Sequence, residues 1–213
     1  RVFAEPHYEQ LALQSADFVW NEFRDGEGRL LRRWREGEAA HKAYLVDHVQ
    51  LALAFLDLYE TGYQPTWAKR AVELTNSVNR LFRNEEGPYY DTGSDAENLL
   101  TRSADGNDSV EPSGNSTALQ VFLRLHTYGL GNIMQEDAER IFRSFGKGFI
   151  EDGFNMAAMM QALHFQLSDP RGLVICGERG DPETESMMEV ARREFHPSLV
   201  TAFVSEELIE TAA

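Results

Sequence analysis

The stretch "NDSVEPSGNST", residues 107–117, interrupts a chain that otherwise shows helical apolar spacing, and it runs directly into the apolar "ALQVFLRL". Ser113 or Asn115 is suited to cap the following helix, because its side-chain oxygen accepts a hydrogen bond from an otherwise unpaired backbone N–H. Pro112 stands just before that start, where it does not disturb the helix. Gly114 lets another chain segment or a ligand come close. The stretch therefore predicts the start of a buried helix.

Two carboxylates in this stretch, Asp108 and Glu111, are not explained by a helix start alone. They either favour the positive end of the helix dipole or belong to a functional site. "LVDHVQ" is a second candidate, because Asp47 and His48 interrupt an apolar helix. An unpaired buried carboxylate is costly. Asp47 therefore either caps the helix or faces solvent, or it points into a cavity as a general acid or base. His48 is either structural or a proton carrier.

Apolar residues recur at steps of three and four along much of the chain, which predicts helices joined by short links. Three antiparallel helix pairs of this kind favour a curved α/α array. Between the first two helices, "DGEGRLLRRWREGE" predicts a turn and a short extended arm. After the third helix, "NEEGPYYDTGSD" predicts a turn or short hairpin. The predicted helices run over about 8–24, 44–60, 65–82, 118–129, 135–149 and 154–167.

The C-terminal part has a different pattern. "RGLVICGERGD" predicts a short buried strand, "PETESMMEVARREF" a helix and "PSLVTAF" a second strand, which together indicate a small βαβ unit. Its "GERGD" has neither the P-loop nor the Rossmann glycine spacing, so we expect no nucleotide site. The single cysteine, Cys176, excludes an internal disulfide, and we expect a buried, inert thiol. The predicted domains are an α/α-hairpin domain, 1–169, and a βαβ tail, 170–213.

Acidic residues outnumber basic ones by 35 to 20, and the formal net charge is −15. Such a chain repels phosphate backbones and anionic membranes, so neither nucleic acid nor a membrane is an expected partner. No signal peptide and no apolar run of about 18 residues is visible, and we expect a cytoplasmic protein. Only three of the 20 basic residues are lysines. This composition suggests an organism with a salty cytoplasm, although a GC-rich genome also favours arginine.

Several aromatic side chains lie near predicted loop ends. Trp34, Tyr89 and Tyr90 are either core residues or surfaces on which a sugar ring stacks, whereas Trp67 fits the core of its helix. Four histidines show no metal-ligand spacing, namely His41, His126, His164 and His196. We therefore predict no metal and no cofactor.

Five segments, taken in order, resemble the C-terminal half of the YyaL family, also called the spermatogenesis-associated protein 20 family. The most specific is the pattern "DxxxPSGNS" over 108–116, and the similarity extends over nearly the whole chain. The matching segments are "DGEGRLLRRWREGEA", "VDHVQLALAFLDLYETGYQPTWAKRAVELTNSV", "LFRNEEGPYYDTGSDAENLLTRS", "NDSVEPSGNST" and "GLVICGERGDPETESMMEVARREFHPSLV".

The resemblance implies a mainly α fold. Its antiparallel α-helical hairpins would form part of an (α/α)6 toroid, similar to six-hairpin glycosidases and sugar 2-epimerases, with a small C-terminal βαβ unit. A family member would also carry an N-terminal thioredoxin-like domain. This chain contains no CxxC motif and about half of the toroid's helices. We therefore expect the other toroid half and the thioredoxin-like domain to be its partners.

The resemblance further implies a saccharide as ligand, held at a rim loop facing the toroid's central cleft. Asp47 and Asp108 would be the acid/base pair. The other predicted binding residues are Trp34, His48, Tyr89, Tyr90, Glu111, Ser113 and Asn115. The sequence leaves three functions open. The chain is a carbohydrate-binding or carbohydrate-active domain working by hydrolysis or epimerisation, a non-catalytic scaffold for a thioredoxin-like domain, or a fragment without activity of its own.

Overall fold

The protein is described by a computed structural model over residues 5–130, 135–193 and 196–204, and it is mainly helical. All six helices predicted from the apolar spacing are present, with ends shifted by a few residues. The helices are α1 Pro6–Glu22, α2 Leu45–Gly62, α3 Pro65–Phe82, α4 Gly114–Tyr128, α5 Gln135–Asp152, a 3-10 helix Gly153–Met156, α6 Ala157–Leu167 and α7 Pro182–Arg193. The strands are β1 Leu31–Arg35, β2 Glu38–Lys42, β3 Arg171–Ile175 and β4 Leu199–Phe203.

The helix ends follow local chemistry. Ser113 is the N-cap of α4, and its hydroxyl oxygen accepts a hydrogen bond from the Ser116 N–H at 3.1 Å. Gly129 ends the same helix with φ +68°, a conformation that glycine adopts without steric cost. Pro65 starts α3 in its first turn, where its missing N–H is not needed. The N-cap prediction at Ser113 is thereby confirmed.

Helices α2 and α4 form the centre of the core. Helix α2 packs against α3 and α4, and α4 also packs against α5 and α6. Phe55 and Tyr59 of α2 and Phe122 of α4 are fully buried, and Trp67 of α3 packs tilted against Phe55 with 5.4 Å between ring centroids. Burying each such side chain stabilises the fold by about 1.5–3 kcal/mol. The core position predicted for Trp67 is confirmed.

The first turns of α2, α4 and α6 lie together at one end of the helices. Gly114 opens α4 so close to α2 that a Cβ atom there would lie 2.9 Å from Leu45 Cδ2 and 3.3 Å from the Val46 nitrogen. The loop before α4 reaches α6, because Asp108 Oδ2 accepts a hydrogen bond from the Ala158 N–H at 2.7 Å. The three helices therefore lie side by side with their N-termini at the same end.

The segment between α1 and α2 forms a β-hairpin, which confirms the predicted extended arm. Strands β1 and β2 pair antiparallel, with Arg33 opposite Ala40 and Arg35 opposite Glu38. The connecting Glu36 and Gly37 both have positive φ, as the type I′ form of a two-residue hairpin turn requires. The region 84–113 contains turns and bends without a named strand, so the turn interpretation of "NEEGPYYDTGSD" is the correct one.

The C-terminal unit has the predicted β3–α7–β4 order, with the two strands parallel. It packs on the C-terminal end of α2. The Tyr63 hydroxyl donates to Thr201 Oγ1 at 3.0 Å, and the Phe203 N–H donates to the Tyr59 hydroxyl oxygen at 3.2 Å.

Two expectations about this unit are wrong. Strand β3 is exposed except at Ile175, and Cys176 is exposed rather than buried. The apolar letters of β3 suggested a buried strand. In the structure β4 carries the buried residues and packs against α2 and α4, whereas β3 is buried only at Ile175.

None of the helices within the described ranges combines the length and the apolar character needed to cross a lipid bilayer.

Candidate functional site

Asp108 is held by backbone N–H groups from two helix starts. Its Oδ1 accepts a hydrogen bond from Ser113 at 2.9 Å, and its Oδ2 accepts one from Ala158 at 2.7 Å. The Asp108 N–H in turn donates to the Asn155 carbonyl at 2.7 Å. Both carboxylate oxygens therefore join the loop to the starts of α4 and α6.

Asp47 lies in the first turn of α2 and caps that helix. Its Oδ2 accepts a hydrogen bond from the Tyr44 N–H at 2.7 Å, and the Arg32 Nε lies 3.8 Å away. The capping interpretation of Asp47 is thus the one that its geometry supports. Asp47 and Asp108 have separate hydrogen-bond partners, and their pairing in catalysis stays a prediction.

Asn115 and Tyr89 form a structural pair. The buried Asn115 amide accepts a hydrogen bond from the Tyr89 N–H at 2.9 Å and donates to the Tyr89 carbonyl at 2.9 Å and the Asp105 carbonyl at 3.0 Å. The Tyr89 ring is fully buried against Phe122, and burial raises the pKa of its hydroxyl. A ring without an exposed face offers no surface to a sugar, so the stacking role predicted for Tyr89 has no support from its position.

His48 is buried and neutral. Its Nδ1 lies 2.7 Å from the Tyr44 carbonyl and its Nε2 lies 3.0 Å from Arg29 Nη1. Because guanidinium only donates, Nε2 is the acceptor and Nδ1 carries the proton. Burial lowers the pKa of His48 to about 4. The position fits the structural interpretation of His48 rather than a proton carrier.

The partner of His48, Arg29, was not singled out from the sequence. It is almost fully buried, and its five N–H groups are all engaged. The guanidinium binds Asp95 through Nε at 2.9 Å and Nη2 at 3.3 Å, and it donates to the carbonyls of Leu30 and Ala43. The hydrogen bond from Arg29 lowers the pKa of Asp95. Asp95 lies 66 residues after Arg29 in the sequence, so no local pattern marks this pair.

The remaining predicted residues each have their own surroundings. Trp34 is partly exposed and meets Phe18 edge to face, with 5.3 Å between ring centroids. Tyr90 is partly buried, with the Arg102 guanidinium 4.2 Å from its ring centre. Glu111 is exposed in the loop before α4. The binding roles of these three residues stay predictions.

A cavity of about 1330 Å³ lies where α2, α4 and α6 face α7 and the start of α1. None of the nine residues predicted from the sequence is among the described residues that line it. Its polar wall includes Asp57, Glu60, Gln120, Arg124 and His164, and its apolar wall includes Phe165.

A charged cluster forms the wall between α2 and α4. Arg124 Nη1 donates to Asp57 Oδ1 at 2.6 Å, and Nη2 lies 3.4 Å from Glu60 Oε1, which also accepts a hydrogen bond from the Tyr128 hydroxyl. Burial opposes the charge on Arg124, but Glu60 and Asp57 outweigh it and raise the pKa of the guanidinium. Burial also raises the pKa of Tyr128.

A sequence signal for this cluster does exist. Asp57 and Glu60 interrupt the apolar run of α2, and Arg124 interrupts "VFLRL". The rule that singled out Asp47, a charge inside an apolar helix, applies equally to these three residues.

The structure is that of a mainly helical protein with a βαβ unit and a large cavity. Comparison with known proteins finds several of similar sequence. The chain is 27% identical to human spermatogenesis-associated protein 20 over 160 residues, 74% of this chain and 20% of that protein. The mouse protein of the same name is 26% identical over 162 residues, 74% and 20% of the two chains. An uncharacterized protein of Caenorhabditis elegans is 27% identical over 198 residues, 89% and 26%. No protein-family model matches the chain.

These relatives confirm the resemblance seen in the sequence. The matched residues span about a fifth of the length of the mammalian relatives, so the activity and partners of the whole protein are matters for proposal.

Proposed function

We propose that this chain is part of an α/α-hairpin domain that binds a saccharide in the cavity between α2, α4, α6 and α7. The observation that carries the proposal is the wall formed by Asp57, Glu60 and Arg124 in an open cavity of about 1330 Å³. Ligand sites combine apolar walls with a few fixed polar groups, and their volumes run to about 1,000 Å³ for drug-sized molecules. This cavity has room for more than one sugar ring.

The chemistry of the wall suits a polyhydroxyl ligand. Carboxylate oxygens of Asp57 accept hydrogen bonds from hydroxyl groups, whereas the amide of Gln120 both donates and accepts. Phe165 and Leu123 line the same cavity and offer apolar surface to the C–H groups of a sugar ring.

The toroid is part of the same proposal. The side-by-side order of α2, α4 and α6, with their first turns at one end, supports an inner helix layer, with α3 and α5 outside. The rest of the toroid and a thioredoxin-like domain would then be supplied by a longer polypeptide. A cytoplasmic location is likewise proposed from the sequence alone.

The arrangement favours binding over hydrolysis. Hydrolysis of a glycosidic bond needs one carboxylic acid that gives a proton to the leaving group. Asp57 and Glu60 both pair with Arg124, and an ion-paired carboxylate carries no proton to give. Asp47 and Asp108 already accept backbone hydrogen bonds. We therefore propose a binding domain and no catalytic step.

The test is calorimetric titration of the chain with mono- and disaccharides, together with the variants Asp57→Asn and Asp47→Asn. Asp57 has an exposed side chain and Glu60 remains as a partner of Arg124, and a cooperative melt of Asp57→Asn checks that the variant is folded. Glu139→Gln on α5, also exposed, is the matched control. We expect Asp57→Asn to weaken sugar binding about tenfold, as the loss of a charged hydrogen bond predicts, while the other two variants bind normally.

Two results would contradict this proposal. Loss of binding in Asp47→Asn alone would place the sugar site at the helix starts, among the residues predicted from the sequence, and not in the cavity. If the chain melts cooperatively and binds none of the sugars, saccharides are not its ligand.

A second candidate is a non-catalytic scaffold that holds a segment of a thioredoxin-like partner. The exposed Met160 on the cavity wall favours it, because flexible methionine side chains adapt to protein partners. Binding of a thioredoxin-like domain that is lost in Met160→Glu and unaffected by sugars would support the scaffold.

A further inference from the structure

The cavity proposed as the sugar site is lined by more negative than positive side chains. Its described lining contains five carboxylates and three guanidinium groups, with His164 and His196 counted as neutral. The carboxylates belong to Glu5, Glu9, Asp57, Glu60 and Glu189. The lining therefore has a formal charge of −2, on a chain whose formal charge is −15.

The three arginines of the lining each interact with a group of the protein. Arg124 lies between two of the carboxylates. Arg193 pairs with a third, because its Nη2 lies 2.9 Å from Glu189 Oε1. The Arg192 guanidinium lies 4.9 Å from the centre of the Tyr63 ring. These contacts weaken the attraction of the arginines for an acidic ligand.

The carboxylates are less well matched. Glu5 and Glu9 are exposed at the start of α1, and neither forms an ion pair with a residue in the described parts of the chain. Asp57 and Glu60 both pair with the same guanidinium, that of Arg124. A cleft whose charges sum to one sign focuses the field and concentrates ligands of the opposite sign. We therefore expect the cavity to attract a cation.

Hydrogen bonds on the α2 and α4 walls favour a ligand that donates. Arg124 Nη1 donates to Asp57 Oδ1 at 2.6 Å, which leaves Oδ2 to accept from a ligand. The Gln120 amide donates through Nε2 to the Ala158 carbonyl at 3.1 Å, and its oxygen is left to accept. The Thr61 hydroxyl donates to the Asp57 carbonyl at 2.8 Å, so its oxygen likewise faces the cavity as an acceptor. These three side chains thus offer acceptor oxygens along one wall.

We propose that the saccharide bound in this cavity is an amino sugar, whose protonated amine is held by Asp57 in the field of Glu5, Glu9 and Glu60. An ammonium group has three donors and no acceptor, which suits a negative wall of acceptor oxygens. A neutral sugar makes similar hydrogen bonds without the charge, and a sugar carboxylate is repelled. This inference rests on the proposed function and adds the charge of the ligand to it.

The apolar part of the cavity distinguishes an amino sugar from a simple amine. Leu123 and Phe165 line the cavity and offer surface to the C–H groups of a ring. A small amine such as ethanolamine carries the same positive charge but leaves this surface uncovered. The sugar should therefore bind more tightly than the small amine.

The experiment is calorimetric titration of the chain at low salt and at about pH 6, well below the pKa of an amine. The sugars are glucosamine, glucose, N-acetylglucosamine and glucuronate, which share one ring and differ in charge. N-acetylglucosamine keeps the nitrogen but not its charge. Ethanolamine is the control without a ring.

Two variants test the assignment of the charge. Asp57→Asn removes the carboxylate that holds the amine, and Glu5→Gln/Glu9→Gln removes the two exposed carboxylates at the start of α1. The matched variant is Glu136→Gln/Glu139→Gln, which removes two exposed carboxylates near the start of α5. A cooperative melt of each variant shows that it is folded.

We expect glucosamine to bind about tenfold more tightly than glucose or N-acetylglucosamine, as one hydrogen bond to a charged group predicts. Glucuronate should bind more weakly than glucose. The preference for glucosamine should decrease at physiological salt, because exposed charges are then screened beyond about 8 Å. Asp57→Asn and the α1 double variant should each reduce the preference, while the α5 double variant keeps it.

Failure of this inference differs from failure of the proposed function. If glucose binds and glucosamine binds no more tightly, saccharide binding stands and the amino sugar is wrong. The amino sugar is also wrong if ethanolamine binds as tightly as glucosamine, or if the α5 variant loses the preference as fully as the α1 variant. If none of the sugars binds to the folded chain, the proposed function is wrong and this inference with it.

Discussion

The substitution Asp108→Asn separates a structural from a purely catalytic role for the first residue of the 108–116 motif. Asp108 accepts hydrogen bonds from Ser113 at 2.9 Å and Ala158 at 2.7 Å, one with each oxygen. Asparagine keeps one acceptor oxygen and turns an amide NH₂ towards the other donor. A hydrogen bond to a charged group contributes about 1.5–3 kcal/mol, and a carboxylate beside a helix N-terminus adds about 0.3–1 kcal/mol.

We therefore expect Asp108→Asn to lower the free energy of unfolding by about 2–3 kcal/mol, and Asp108→Ala to lower it further. Urea unfolding followed by circular dichroism measures the difference. Glu111→Gln is the control, because Glu111 is exposed in the same loop and its loss is expected to change stability by less than about 0.5 kcal/mol. If Asp108→Asn unfolds like the unchanged chain, the two hydrogen bonds do not hold the loop, and the structural account of Asp108 is wrong.

Two further predictions concern the same end of the helices. His48 has a pKa of about 4 when folded, below its unfolded value of 6.5, so the unfolded chain binds its proton first as the pH falls. The stabilisation by neutral His48 is complete above pH 6.5 and is lost towards pH 4, by about 3 kcal/mol. Urea unfolding across this range should show the loss, and His48→Gln should lack that part of it; equal pH slopes would contradict the assignment. Gly114→Val should cost about 1–3 kcal/mol, because its Cβ would lie 2.9 Å from Leu45. Gly146→Ala, with open space around the Cβ position, should instead be neutral or stabilising in a thermal melt; a mild Gly114→Val would mean that α2 and α4 can move apart.

The predictions rest on a motif whose members the structure explains individually. Asp108 binds two helix starts, Ser113 caps α4, Gly114 admits α2, and Asn115 holds the backbone of Tyr89. A structural role accounts for these residues without a ligand. The specificity of the motif is thus compatible with a structural role, which the stability of Asp108→Asn tests directly.

Sequence reasoning succeeded where the physics is local. Helix ends at Ser113, Gly129 and Pro65 follow from capping and backbone rules that involve neighbours along the chain. The apolar spacing placed α1 to α6, because a helix must turn one face to the core. The extended arm predicted within residues 25–38 is likewise present, as strands β1 and β2.

Sequence reasoning failed where the deciding partner is distant. Asp47 and Asp57 are both acidic residues of the apolar helix α2, and nothing in the letters tells that Asp47 caps the helix start while Asp57 faces a cavity. Cys176 follows an apolar strand, yet its exposure depends on which side of β3 other elements cover. Both outcomes are set by packing between elements.

The sequence by itself determined the helices, their ends, the βαβ order and the acidic surface, because propensity, capping and charge are properties of short segments. Tertiary structure alone decided that Arg29 is buried against Asp95 and that Glu60 meets Arg124 across two helices. It also decided that residues 108–116 do not line the cavity. Burial and ion pairing depend on contacts between residues that are far apart along the chain, and these contacts form only when the helices pack.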